Sequence, residues 1–253
     1  MKSLCLIACL WGGAAQAQSF TMPEDEGAAE FVTSNVIATF YHELGHALID
    51  VLQLPVLGRE EDAADTLSAL LIHQGWEEEA AATLTYDTAN AYWAYSEEAK
   101  AEGYDMAFWD EHSLDMQRYY NLICLYYGAE PDLRADDAKE LGLPDDRAER
   151  CPDEYQLAAD SWGGLLEGLE PGTDGSFGLK IDGDRDSDPI LEIMAQEVDV
   201  LNESYALPEE VTVLVAPCGE PNAFYSPSER TITFCTEYAT DLVRIYMAGV
   251  SGD

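Results

Sequence analysis

The string Phe40–Asp50, FYHELGHALID, constrains this chain more than any other. It lies within residues 28–51, AAEFVTSNVIATFYHELGHALIDV, where apolar side chains recur at Phe31, Ile37, Phe40, Leu44 and Leu48. That spacing of three to four predicts an amphipathic helix. The same helix carries His42, Glu43 and His46. Residues four apart share a helix face, so His42 and His46 can bind one metal ion through two imidazoles. Glu43 is turned enough to miss the ion and reach a water beside it, an arrangement suited to metal-assisted hydrolysis. The rest of the chain has to supply what such a site still lacks.

Catalytic zinc takes three protein ligands and keeps a fourth position open. The histidines are His42, His46, His73 and His112. None follows His46 closely, which excludes a metzincin-like arrangement, so a carboxylate has to serve. GREEDAAD offers Glu60, Glu61, Asp62 and Asp65 at the start of the next predicted helix. Glu61 and Asp65 stand four apart. One can bind zinc while the other, a turn later, accepts the second ring N–H of a ligating histidine. Glu60 has Ala64 at that offset and no such partner. The reading therefore takes His42, His46 and Glu61 as zinc ligands, Asp65 as their support and Glu43 as general base. Acids in a first turn also complement a helix dipole. That does not explain Asp65, which falls on the second turn among Ala63, Ala64, Leu67 and Leu70. His73, at a helix end, reads as a dipole-compensating or partly buried histidine rather than a ligand.

HELGH, a short loop, then E-x-x-x-D on the next helix resembles the gluzincin class of zinc peptidases. The longer string YHELGHALIDVLQLPVLGREEDAAD, with DEHSLDMQRYYN and CGEPNAFYSPSERTITFC, is similar to a bacterial family of exported proteins catalogued as metallopeptidases. The resemblance implies a zinc-dependent hydrolase acting on a peptide or protein, and it names no substrate. FWDEHSLDMQR sets His112 six residues before Arg118. A similar element lines the cleft of membrane-embedded gluzincins. It implies that His112 stabilises an oxyanion and that Arg118 grips a substrate carbonyl or an active-site acid. In the plainer reading, His112 caps a helix and Arg118 pairs with Asp110 or Asp115. Asn222, Ala223, Phe224 and Tyr225 are candidates for an edge strand that holds extended substrate, or for an ordinary stapled hairpin. Gluzincins place their sheet before the metal-binding helix, whereas the strand-like segments here come near the C-terminus.

Helices are predicted over residues 59–74, 76–103, 113–128, 152–169 and 190–205 as well. After Pro171 the texture changes, and EVTVLVAPC and RTITFCTEY read as two antiparallel strands around a turn-rich segment. The expected class is α+β: a mostly helical, zincin-like body with a small C-terminal antiparallel hairpin or sheet. Residues 18–172 form the helical catalytic region, and 173–253 pack into the same domain. Asp182–Asp188, DGDRDSD, has the alternating carboxylates of a calcium loop but lacks its glycine and glutamate, so an acidic turn is the simpler reading.

Residues 1–17 have the layout of a signal peptide: Lys2, an apolar run from Leu4, and AQA at Ala15–Ala17. The expectation is export to the periplasm or medium. No later stretch approaches the apolar length of a membrane span. With 12 basic and 50 acidic residues the formal charge is −38, which excludes nucleic acid and anionic membrane as partners. Beyond the leader stand Cys124, Cys151, Cys218 and Cys235. An even set in an exported chain predicts two disulfides, with sequence order favouring Cys124–Cys151 and Cys218–Cys235. No C-x-x-C spacing supports a four-thiolate zinc site. Two other functions fit the same motif. One is a non-catalytic zinc-containing envelope protein, against which Glu43 argues. The other is a zinc amidase acting on a non-protein amide. The oligomeric state is open.

Overall fold

The structure, a computed structural model, describes residues 20–169 and 178–250. The expected leader, 1–17, and the expected boundary at 172–173 lie outside the described residues.

Helix α1, Glu26–Val51, starts at Asp25, whose side chain accepts the Ala28 N–H at 2.8 Å. Buried residues lie all round it: the run Phe40, Tyr41, His42, Glu43, Leu44 and Gly45, longer than one full turn, is buried throughout. A helix buried on every side belongs at the centre of a fold. Helix α2, Glu60–Gly75, lies against it at close range. A Cβ on Gly45 would stand 2.8 Å from the Ala64 Cα, so the glycine of HELGH sets this approach. Helix α3, Glu78–Glu102, also packs on α1 and ends at Gly103, whose φ of 73° suits a glycine C-cap. Helix α4, Asp115–Ala129, touches α2 and α3. Short helices α5, Ala135–Glu140, and α6, Asp145–Ala148, lead to α7, Cys151–Leu166. A Cys124–Cys151 disulfide ties α7 to α4.

The C-terminal part runs β1 (Leu179–Ile181), α8 (Pro189–Ser204), β2 (Val211–Ala216), β3 (Ala223–Ser226), β4 (Thr231–Cys235) and α9 (Thr236–Val250). The four strands form one sheet in the order β1-β2-β4-β3. Strand β1 pairs parallel with β2 across α8, and β2 pairs parallel with β4. The α+β class holds, but the expected antiparallel pairing of residues 211–216 with 231–235 does not. The segment between them contains β3, which forms the true hairpin with β4. The chain reverses twice between β2 and β4, so those two run the same way. Helix α9 was not expected. The alternation of TITFC runs directly into it, and only the buried Ala239, Leu242 and Ile245 reveal the change of period.

One core cluster joins Phe40 and Leu44 of α1, Leu67 and Leu70 of α2, Met194 and Val198 of α8, and Val213, Ile232 and Phe234 of the sheet. The sheet is thus packed onto the motif helix, although its strands come last in sequence. A second disulfide, Cys218–Cys235, joins the loop before β3 to the end of β4.

Candidate metal centre and cleft

The histidines emerge from the C-terminal half of α1, where neighbouring residues on every side are buried. His42 and Glu43 are buried, at 7% and 5% exposure, and His46 is partly so. Helix α2 brings its first turns opposite. His42 Nδ1 lies 2.7 Å from Asp65 Oδ1, and His46 Nδ1 lies 2.9 Å from Glu60 Oε1. A carboxylate accepts only, so both Nδ1 atoms carry a proton, and in the neutral imidazoles, the form that ligates a metal, both Nε2 atoms present lone pairs. Those lone pairs converge. His42 Nε2, His46 Nε2 and Glu61 Oε2 form a triangle with every side 3.2 Å.

Three acceptors facing one another at that distance repel unless a cation lies between them. Ligand atoms held tetrahedrally about 2.0–2.1 Å from zinc would stand about 3.3–3.4 Å apart. The donor set therefore fits a divalent metal in chemistry and in spacing. The electrostatics agree. Burial works against charge on His42, yet its bonds to Asp65 and Glu61 lift its pKa to about 9: without a metal, a proton on Nε2 facing Glu61 takes the cation's place, and a metal ion would displace it. Burial likewise pushes the Glu43 carboxyl up.

Arg118 grips Asp65 with two bonds, Nε to Oδ2 at 2.8 Å and Nη2 to Oδ1 at 2.7 Å. Its guanidinium also lies 4.5 Å from the centre of the Tyr92 ring. Burial acts to raise the Asp65 carboxyl, but Arg118 and His42 together hold it well below the usual range. The acid that Arg118 holds is neither Asp110 nor Asp115. His112 comes from the loop between α3 and α4, with Nε2 3.0 Å from Glu61 Oε2 and Nδ1 3.3 Å from Asp110 Oδ1. The ligand atoms of His42, Glu61 and His112 all lie within 4.8 Å of one another. His112 thus reaches the centre itself, and its 45% exposed side chain looks onto solvent. Arg59 donates to the His112 carbonyl oxygen at 3.0 Å, and Ser113 donates to Asp62 at 2.7 Å, which fastens this loop to the start of α2.

A protein family described as "Putative metallopeptidase" matches residues 8–166 and 189–251. The chain belongs to that family. Neither a curated protein nor a solved structure was found to match it. Membership in a metallopeptidase family implies a metal, hydrolysis, and a protein or peptide substrate, and His42, Glu61 and His112 form a group that could hold a metal ion.

The geometry around that group also suits a metallopeptidase. A cleft of two lobes, about 590 and 480 Å³, passes the centre on either side, and His42, Glu43, His112, Asn222 and Ala223 line both. Strand β3 is the edge of the sheet and forms one wall. Cys235 N–H donates to Asn222 O at 2.9 Å, so in the antiparallel alternation Ala223 and Tyr225 turn their backbone groups away from β4, with the Ala223 N–H donating to Asn222 Oδ1 at 2.9 Å. Phe224 lies 41% exposed beside the smaller lobe, and Tyr225 donates its hydroxyl to Asp50 at 2.8 Å, pinning β3 to α1.

Glu60 is the site residue that sequence reasoning missed. Its partner, His46, is on another helix, and the only available signal was its position beside Glu61. Tyr92 and Tyr238, which also line the larger lobe, gave no signal at all. His73 accepts a bond from Arg134 at 2.9 Å, and burial with that cation lowers its pKa, which fits the partly buried histidine of the sequence reading better than a dipole-compensating charge. Among the described residues the acids of Asp182–Asp188 form no metal-binding group. Asp184 and Asp188 accept backbone N–H groups instead, Asp188 as the N-cap of α8. No helix among the described residues is long and apolar enough to cross a membrane.

Proposed function

We propose that this chain is a zinc-dependent peptidase, with His42, His46 and Glu61 as ligands and Glu43 as general base. The single observation that carries the reading is the triangle of three lone-pair atoms, set beside a buried glutamate on the floor of a cleft. Zinc bound there would polarise the scissile carbonyl and bring the pKa of the attacking water to roughly 7. Glu43 takes a proton from that water and passes it to the leaving amine. His112 donates to the carbonyl oxygen as negative charge develops on it. Arg118 is a positioning residue. Its two bonds fix the Asp65 carboxylate, which fixes the His42 ring, and Glu60 does the same for His46. The outer edge of β3, at the Ala223 carbonyl and the Tyr225 backbone, receives the substrate main chain as an added strand. Two disulfides suit an oxidising compartment, in keeping with export behind the leader.

Metal analysis of the purified protein, alongside Glu43→Ala and Glu61→Ala, tests this reading. Glu61→Ala is expected to lose zinc. Glu43→Ala is expected to keep it, with peptide hydrolysis reduced about a hundredfold to ten-thousandfold. Equal zinc in all three proteins would overturn the ligand assignment, and activity surviving in Glu43→Ala would overturn the mechanism.

A further inference from the structure

The walls of the cleft offer a distinctive pair of surfaces. Between α3 and α4, Tyr104, Met106, Phe108 and Trp109 are 70%, 58%, 73% and 82% exposed. Four large apolar side chains in so short a run form a patch of the kind that marks an interaction surface. Tyr104 and Met106 line the larger lobe, and Phe108 lines a recess shared with His112 and Arg59. The patch is therefore continuous with the metal centre.

Charge in the cleft is equally one-sided. Its basic groups are already engaged: Lys100 with Glu97 at 2.6 Å, Arg118 with Asp65 at 2.7 Å, and Arg59 with the His112 carbonyl at 3.0 Å. Asp105 and Asp115 in one lobe and Glu111 in the other accept no hydrogen bond from the described residues. A chain of net charge −38 adds a long-range field that draws cations in and turns anions away.

We propose that the cleft selects extended polypeptide segments carrying lysine or arginine together with large apolar side chains. The apolar groups pack on Tyr104, Met106 and Phe108, and the cations meet Asp105, Glu111 and Asp115. This specificity rests on the peptidase reading above. A segment lacking the apolar groups leaves the patch wet, and one bearing glutamate in place of lysine is repelled at both lobes.

The test measures binding apart from turnover, using the zinc-loaded Glu43→Gln chain and three fluorescent peptides of equal length. One combines Lys with Phe and Leu, one Glu with Phe and Leu, and one Lys with Ser. By anisotropy at about 0.05 M NaCl, the first is expected to bind at least about tenfold tighter than either other. Its advantage over the Glu peptide should shrink at about 0.5 M NaCl, where screening is strong. The Tyr104→Ser, Phe108→Ser pair should weaken the first peptide about tenfold and leave the Lys–Ser peptide unaffected. The Asp105→Asn, Glu111→Gln pair should reduce the preference for Lys over Glu. The Asp145→Asn, Asp146→Asn pair on α6 makes the same change in net charge outside either lobe and should leave the preference intact. Equal binding of the Lys and Glu peptides, equal effects of the two carboxylate pairs, or indifference to the loop pair would each overturn the proposal. Failure of the peptidase reading looks different: the binding pattern holds in full, but the unsubstituted chain cleaves none of the peptides. Cleavage of all three with equal kcat/KM would overturn the specificity and leave the peptidase reading in place.

Discussion

Gly45 shows how much one residue can decide. In an isolated helix, replacing it with alanine would add about 1 kcal/mol of stability. Here the new methyl would meet the Ala64 Cα at 2.8 Å, and backbone cannot yield without moving α2. Gly45→Ala is therefore expected to lose about 1–3 kcal/mol. It should also bind metal more weakly, because Glu60, Glu61 and Asp65 all ride on α2. Thermal melts and a metal titration check both effects, and an unchanged variant would show that the helices part without cost. Asp87 allows a pH test away from the metal ligands. Burial raises its carboxyl to about 6, against the bond it accepts from Ser34 at 2.6 Å. A pKa raised on folding means that the folded state holds the proton more tightly. The contribution to stability is full below the unfolded value of 3.8 and lost as pH rises through about 6. Asp87→Asn should therefore match the parent at low pH and exceed it at pH 7. The shift allows at most about 3 kcal/mol, which partial exposure reduces to about 1 kcal/mol. Urea melts across that pH range would refute the idea if the two curves stayed parallel.

At the scale of elements, the site depends on a sheet edge that two fastenings hold in place. Tyr225 ties β3 to α1 through Asp50, and the Cys218–Cys235 disulfide ties the loop before β3 to β4. Glu237, at the start of α9, accepts the backbone N–H groups of Cys218 and Gly219 at 3.0 and 2.8 Å. The disulfide closes a loop with a sequence separation of 17. Replacing both cysteines by serine should cost about 3 kcal/mol by the chain-entropy argument. Bound metal should remain, since both disulfide partners lie outside α1 and α2. Chemical denaturation together with metal analysis tests this, and loss of metal at full stability would contradict it. The long helices α1 to α4, α7 and α8 were legible from sequence because their signals are local, whereas the short α5 and α6, and α9 running on from β4, were not. Apolar spacing marked α1 to α4, and Gly103 punctuated the end of α3. Strands β2 and β4 were legible as strands and β3 as a candidate edge, while the three-residue β1 was not. Their order was not legible, because pairing depends on a partner far along the chain.

For the whole molecule, self-repulsion is the dominant electrostatic fact. A net charge of −38 disfavours any compact state, and salt screens it over about 10 Å at 0.1 M. The melting temperature should therefore climb steadily from about 0.05 to about 1 M NaCl. A flat response in calorimetry would mean that the paired acids, such as Glu98 with Arg244 and Glu78 with Arg134, already neutralise the field.

Sequence by itself determined the parts of the centre that lie within a turn of one another. His42, Glu43 and His46 share α1, and Glu61 and Asp65 share α2, because side chains four apart must share a helix face. It also determined the charge, the even set of cysteines and the mostly helical class. Tertiary structure alone decided what crosses between elements: Glu60 behind His46, Arg118 behind Asp65, His112 over Glu61, and β3 along the cleft. The reason is physical. Helical neighbours follow from the fixed geometry of one hydrogen-bonded turn. Contacts between helices and strands follow from how a whole core packs, and no short stretch of sequence contains that.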